Sequence, residues 1–396
     1  AEISIGTVVA NTGEVRYFDS PTPGAENGLG SRTVGPKIVD ATHSPQLVNP
    51  ADPIVVTAEV AETFNEVQVV DLNYRVMYGD VMQIPMTDDG QGADQVAGDG
   101  VYTAEIPGNI AAPGEMVRWY IEATDTESLG GRLPTFERPV KDQEYFGTMI
   151  HDPTVESNLP VFHFFVDINF TRGGVVRDGS VYYNGEFYSN INLTNHGQSS
   201  SGFPKKSLNL DFPNDHRLLL EEGMTRMEDV NLLSNHADKS KMRNTLAYEQ
   251  LAFTGGASHL AFPIHVRNNG EFVAVYDFVE DAGEPWMERL GFDPEGTLYK
   301  MYNSFEGAVG EKKTRDDTGD ELLTEIVNSV RTSNSDEEPE VVDASVAYVM
   351  DNVNIARMAN YLAGFVLTSN RDCCHKNYYA YMDELGTGEW LSLIHI

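Results

Sequence analysis

Near the end of the chain, Arg371-Asp372-Cys373-Cys374-His375-Lys376-Asn377 sets a carboxylate five positions before a carboxamide, with a guanidinium just ahead of it. An Asp so placed can accept the proton of an incoming hydroxyl, and an Asn can lend a neutral oxygen to magnesium on nucleotide phosphates. The chemistry needs both residues, so the spacing predicts phosphoryl transfer with Asp372 as base and Asn377 as metal ligand. The plain alternative is a polar turn between a helix and a strand. The neighbouring Cys373 and Cys374 read as two packed thiols, because His375 supplies only one further ligand for a metal.

A second constellation lies upstream. Asn195-His196-Gly197-Gln198-Ser199-Ser200-Ser201-Gly202-Phe203-Pro204-Lys205-Lys206-Ser207 is a small-residue loop whose amides would cradle phosphates, followed at once by a strand that carries lysine. On that strand Lys206 shares the apolar face of Leu208, Leu210 and Phe212. An inward lysine needs an anion to offset its desolvation. A phosphate and the helical Glu249 are the natural partners; Lys205 is the alternative holder, and either lysine can instead extend its amine to solvent.

The elements that must position these groups follow from periodicity. Val161 to Ile168, Gly179 to Tyr183, Phe187 to Leu193 and Ser207 to Phe212 read as strands, with Asn184-Gly185 as a hairpin turn. Asp238 to Phe253 reads as a helix with Met242, Leu246, Glu249 and Phe253 on one face. Pro263 to Arg267 and Glu271 to Val279 form a hairpin around Asn268-Asn269-Gly270. Residues 304 to 345, acidic and poor in aromatics, read as a mobile insertion around one helix, Glu321 to Val330. A single long apolar helix, Val346 to Thr368, delivers the chain to Asp372, and the strand Tyr378 to Met382 follows. Strands first and helices later make an α+β arrangement.

The N-terminal half carries no catalytic pattern. Ile3 to Val9 and Glu14 to Phe18 are short strands before a Pro- and Gly-rich linker, Ser20 to Gly28. Residues 33 to about 147 alternate with period two in Ile54 to Val60, Glu66 to Val70, Tyr74 to Tyr78 and Val117 to Ala123, which predicts an all-β sandwich of immunoglobulin or fibronectin-III type. Within it, Asp88 to Gly100 gathers four carboxylates among glycines, a loop that would ligate Ca2+ through oxygen, or else a pair of Asp-Gly turns with solvated side chains.

Composition bounds the whole. The chain has 396 residues, 27 Lys+Arg against 61 Asp+Glu, and a formal net charge of −34, which disfavours nucleic acid as a partner. At 41% hydrophobic residues it is a folded protein of two or three domains. Two adjacent cysteines build no disulfide framework, and no stretch of about 20 apolar residues offers a transmembrane helix.

Taken together, Gly197-x-Ser199-Ser200 with Phe203-Pro204-Lys205-Lys206-Ser207, Leu233-Ser234-Asn235, Asp238-Lys239-Ser240-x-x-Arg243-Asn244, Asn269-Gly270-Glu271-Phe272, Leu298-Tyr299-Lys300 and Asn377-Tyr378-Tyr379 resemble the spore-coat-protein-H (CotH) kinase-like family. The resemblance implies an atypical protein-kinase fold that transfers the ATP γ-phosphate, with magnesium, to Ser or Thr of secreted, Ser-rich coat or cell-surface proteins. It implies phosphate contacts for Lys206, Gly197, Ser199 and Ser200, a place near the adenine for Glu280, the base role for Asp372 and a metal-ligand role for Asn377. It gives Asp238 and Arg243 bracing roles. The sequence departs from the family at His196, where the family has Arg. It also lacks the family's P-W-D-x-D aspartates, ending in Glu389-Trp390 and then Leu391 to Ile396, which resemble a translated sequencing adaptor.

The expected organisation is therefore multidomain: residues 1–29, the end of a lamin-tail-like β domain and linker; 30–150, the Ig-like sandwich; 158–390, a truncated α+β kinase-like domain; and 391–396, the adaptor. A fragment without the missing aspartates is expected to be inactive. A bacterial, secreted or surface-bound location is expected, and the alternative function is a non-catalytic adhesion or scaffold module.

Overall fold

The computed structural model describes residues 4–7, 15–18, 30–135, 144–167, 176–197, 199–302, 310–330, 339–369 and 378–394. Twenty-one strands and five α-helices occur among them, so the chain is β-rich. It divides into two compact units. The first takes in residues 1–194, 212–216 and 265–274; the second takes in 195–211, 217–264 and 275–396.

The first unit begins with a strand pair, β1 (Ser4–Thr7) and β2 (Val15–Phe18). Two antiparallel sheets follow. One is built from β3 (Lys37–Ser44), β4 (Ile54–Ala61) and β7 (Val101–Ile106); the other from β5 (Val67–Val76), β6 (Met82–Pro85), β8 (Met116–Asp125), β9 (Gly130–Leu133) and β10 (Phe146–Met149), in the order β10-β8-β5-β6 with β9 also on β8. Alternation produces the core: Ile54, Val56, Ala58 and Val60 of β4 meet Val70 and Leu72 of β5 and Trp119 and Ile121 of β8. The two strands expected at Glu66 to Val70 and Tyr74 to Tyr78 are one continuous β5. Asn73, in the expected break, is buried and donates to Glu122 on β8 at 3.2 Å, so a polar pair carries the ladder through. Strands β11 (Val161–Phe165), β12 (Val176–Tyr183) and β13 (Glu186–His196) then form an antiparallel run. The β12–β13 turn has Asn184 and Gly185 at positive φ, as the sequence predicts.

In the second unit β14 (Ser207–Asp211) pairs with β15 (Asp229–Leu233). After helix α1 (Arg243–Phe253) comes the hairpin of β16 (Ala261–Asn268) and β17 (Glu271–Glu280), whose tip, residues 265–274 with Asn269 and Gly270 at positive φ, is counted in the first unit, and β17 pairs with β15. Helix α2 (Glu284–Leu290) leads to a four-stranded antiparallel sheet of β18 (Thr297–Met301), β19 (Gly310–Lys312), β20 (Tyr378–Met382) and β21 (Trp390–Ile394), ordered β19-β18-β20-β21. Between β19 and β20 run α3 (Glu321–Val330), α4 (Pro339–Asn352) and α5 (Ile355–Thr368). One sheet face, with Tyr299, Met301 and Tyr378, packs on α3 and α5; the other, with Leu298, Tyr379 and Tyr381, packs on Trp286 and Met287 of α2.

Three expectations are corrected here. Helix α3 has the expected bounds but is no mobile insertion, because Leu323, Ile326 and Val327 are buried in this core. The long helix from Val346 breaks into α4 and α5: Val353 bridges to Trp390, and the Asn354 side chain accepts from Arg357 N at 3.0 Å to cap α5. On α1 the stripe Met242, Leu246, Glu249 and Phe253 faces solvent, Phe253 being 88% exposed, while Thr245, Tyr248 and Leu251 are buried. No helix among the described residues is long and apolar enough to cross a membrane.

Candidate functional site

The glycine loop leaves β13 at His196. Gly197 has φ +88°, a conformation that favours glycine, and a Cβ there would force the Ser200 hydroxyl to turn away. Ser199–Gly202 forms a 3-10 turn, and Lys206 Nζ donates to Ser201 O and holds it. Gly197, Ser199, Ser200 and Lys206 are thereby brought to one loop.

Lys206 and Glu249 are not brought together. β14 starts at Ser207, so Lys206 lies outside the alternation that buries Leu208 and Leu210, and Glu249 is exposed on α1. The inward amine belongs to Lys205. It donates to Val275 O, lies 4.1 Å from the Tyr276 ring centroid, and has its pKa lowered to about 8 by burial and by Lys241, with Asp277 opposing. Asp277 is 1% exposed, its Oδ2 has no hydrogen-bond partner among the described residues, and burial pushes its carboxyl up.

Glu280 ends β17 as a buried carboxylate. Arg289 grips it, with Nε 3.0 Å from both oxygens and Nη2 2.6 Å from Oε2, and Leu260 N donates to Oε2 at 3.0 Å. Burial nonetheless raises its pKa. Its oxygens brace β17 against α2.

The next residue opens a charged cluster that the sequence reading missed. Asp281 lies 3.1 Å from Lys313 Nζ, and Glu311 lies 3.6 Å from the same ammonium. Burial works against the Lys313 charge, but Asp281 and Glu311 outweigh it and raise the pKa. Burial also opposes the Asp281 charge, and Lys313 and Lys300 hold that carboxyl below its usual range. On β15, Asp229 stands opposite Asp211 and has its pKa pushed up to about 6 by burial and by Asp281, with Lys313 opposing. His196, next to Gly197, has its pKa lowered by burial and by Lys300, with Asp281 opposing, so the glycine loop and the cluster share one electrostatic neighbourhood. Lys300 belongs to the Leu298-Tyr299-Lys300 motif, which carried no role in the sequence, and Lys313 falls in the stretch read as an insertion.

Asp372 and Asn377 lie outside the described residues, as do Arg371 and both cysteines. The flanking elements are those expected: α5 ends at Thr368, and β20 begins at Tyr378, paired with Met301.

Residues 193–393, just over half of the chain, match the family model described as CotH kinase protein. The chain belongs to the CotH kinase family. No curated protein matches it. The CotH segment runs from the end of β13 into β21, so it contains the glycine loop, both lysines and the Asp281–Lys313 cluster.

Outside the CotH segment, Asp88, Asp94 and Asp99 bring carboxylate oxygens within 4.8 Å of one another. These carboxylates accept from the loop's own amides: Asp88 from Gly98 N at 2.6 Å and Gly100 N at 2.9 Å, Asp94 from Gly90 N at 2.5 Å, and Asp99 from Val101 N at 3.0 Å. That pattern is the Asp-Gly turn chemistry set beside Ca2+ binding in the sequence.

Proposed function

We propose that this CotH-family chain is a protein kinase domain that transfers the γ-phosphate of ATP to Ser or Thr of a secreted or cell-envelope protein. The family match over residues 193–393 carries the reading. In it the strands and helices of the second unit form an α+β kinase-like domain, the two N-terminal sheets an Ig-like spacer, and the first strand pair the end of a lamin-tail-like domain.

The residues present suit Mg-ATP. The amides of the 197–202 loop, with Lys206, offer donors to phosphate oxygens. Asp229 and Asp281 supply hard oxygens of the kind a divalent cation takes, and Asp281 adds to the burial that raises the pKa of Asp229. Asn377 would add a further oxygen to the metal. Magnesium, when bound, would neutralise charge on the phosphates.

Asp372 takes the proton of the acceptor hydroxyl as its oxygen forms the new bond to phosphorus and the bond from phosphorus to the ADP oxygen breaks. Lys206 orients the transferred phosphate, and Lys300 and Lys313 set the potential around it. The test is magnesium-dependent transfer of label from [γ-32P]ATP to the intact gene product or to casein. Transfer that persists undiminished in Asp372→Ala would remove the base assignment, and no transfer by the intact protein would sink the kinase reading.

One observation favours a second reading, a non-catalytic surface scaffold: Lys206 is not paired with Glu249. Nucleotide binding without phosphotransfer, or neither, would support it.

A further inference from the structure

Within the first unit lies a cavity of about 280 Å³, walled by Trp119, Tyr145, Phe146 and Phe187 and flanked by Glu144 and Glu186. Its walls are set by local packing. Phe146 stands opposite Trp119 in the β10–β8 ladder, and Phe187 packs so closely on Gly147 that a Cβ there would come within 2.6 Å of the ring. Arg132 fixes one side by donating to Pro134 O and, at 2.8 Å, to Glu144 O.

Among the described residues, two of those lining the cavity are Glu and none is Lys or Arg, with the Arg132 guanidinium standing beside Glu144. Glu186 shares a 2.7 Å hydrogen bond with the His216 ring, and a carboxylate accepts several such bonds at once. His43 packs edge-on to Trp119 with ring centroids 5.1 Å apart, its Nε2 has no hydrogen-bond partner among the described residues, and burial lowers its pKa, so its ring opposes no incoming cation. Aromatic rings and carboxylates around one apolar cavity favour an organic cation, through the ring quadrupole and direct ion pairing. The mouth is exposed at Thr42, Gln46 and Gly185, so a chain can lie across it with one side chain inserted. A net charge of −34 draws basic polypeptides to the surface.

We propose that this cavity is a docking site for a basic side chain, arginine or lysine, presented by a polypeptide. The proposal does not rest on phosphoryl transfer and is tested without it. The full chain is titrated with Nα-acetyl-arginine amide, its neutral isostere Nα-acetyl-citrulline amide, and agmatine, by calorimetry. Saturable binding of the arginine compound is expected, with the citrulline compound about tenfold weaker or worse and a similar loss in Glu186→Gln or Glu144→Gln. Equal binding of the citrulline compound, binding untouched by both Gln variants, or no saturable binding overturns the proposal. Agmatine binding more tightly than the arginine amide overturns the polypeptide as source.

Discussion

The Lys313 ammonium lies 3.1 Å from the Asp281 carboxylate, and the two side chains are only 15% and 10% exposed. Removing one partner strands the other charge in a desolvated place, which costs more than the pair contributes. Lys313→Ala is expected to destabilise the second unit by about 3 kcal/mol, read from urea denaturation. Lys313→Met with Asp281→Leu, which removes both charges, is expected to recover most of that loss. A double-variant loss equal to the sum of the losses in Lys313→Met and Asp281→Leu measured singly would show that the pair is not coupled.

Asp229 carries the opposite kind of strain. Its folded pKa of about 6 lies above its ordinary value of 3.8, so the folded state holds its proton longer than the unfolded state does. As pH rises from about 4 to about 6 the unfolded chain ionises first, and stability falls across that window by up to roughly 3 kcal/mol before levelling off. Asp229→Asn removes this titration, so its stability relative to the parent should climb over the same pH range. A carboxyl titration of Asp229 by carbon NMR with a midpoint near 4 would contradict the argument.

Asp238 lies five residues before Arg243, the first residue of α1. Its Oδ2 accepts from Met242 N at 3.1 Å and Arg243 N at 3.0 Å, and the Arg243 bond, with those from Ser240 and the Arg243 charge, lowers its pKa to about 2. Its contribution is therefore present above the unfolded pKa and lost as pH falls toward 2. Asp238→Ala is expected to lower the Tm at pH 7, with the difference shrinking at acid pH. Asp238→Asn, which keeps an acceptor, should lose less. A Tm difference that is independent of pH would exclude the ionised cap.

What the sequence made legible was local. Asn184-Gly185 and Asn269-Gly270 announce their turns because few other residues accept positive φ, and Leu208 and Leu210 announce the inward face of β14 by alternation. Helix α1 was read on the wrong stripe because two stripes compete at helical spacing, and Tyr248 and Leu251 found the neighbours that bury them. The charged cluster had no spacing to betray it: Asp281 and Lys313 are 32 residues apart and meet because β17 and β19 end near the same place. Similarly, placing Lys206 on the inward face extended the strand's alternation one residue too far, before the point where β14 starts.

Glu280 separates a structural role from a ligand-binding one. Arg289 donates to both of its oxygens, and Leu260 N adds a bond to Oε2, all around a carboxylate 2% exposed. A carboxylate so engaged is a brace, and truncating Arg289 leaves it buried with its main cation gone. Arg289→Ala is therefore expected to cost about 3 kcal/mol, and Glu280→Gln, which leaves the guanidinium facing a neutral amide, about 2 kcal/mol. At temperatures where both variants remain folded, their nucleotide affinity should stay within about threefold of the parent, because neither side chain has spare geometry for a base. A tenfold or greater loss of ATP affinity in folded Glu280→Gln would instead place this carboxylate in the nucleotide site.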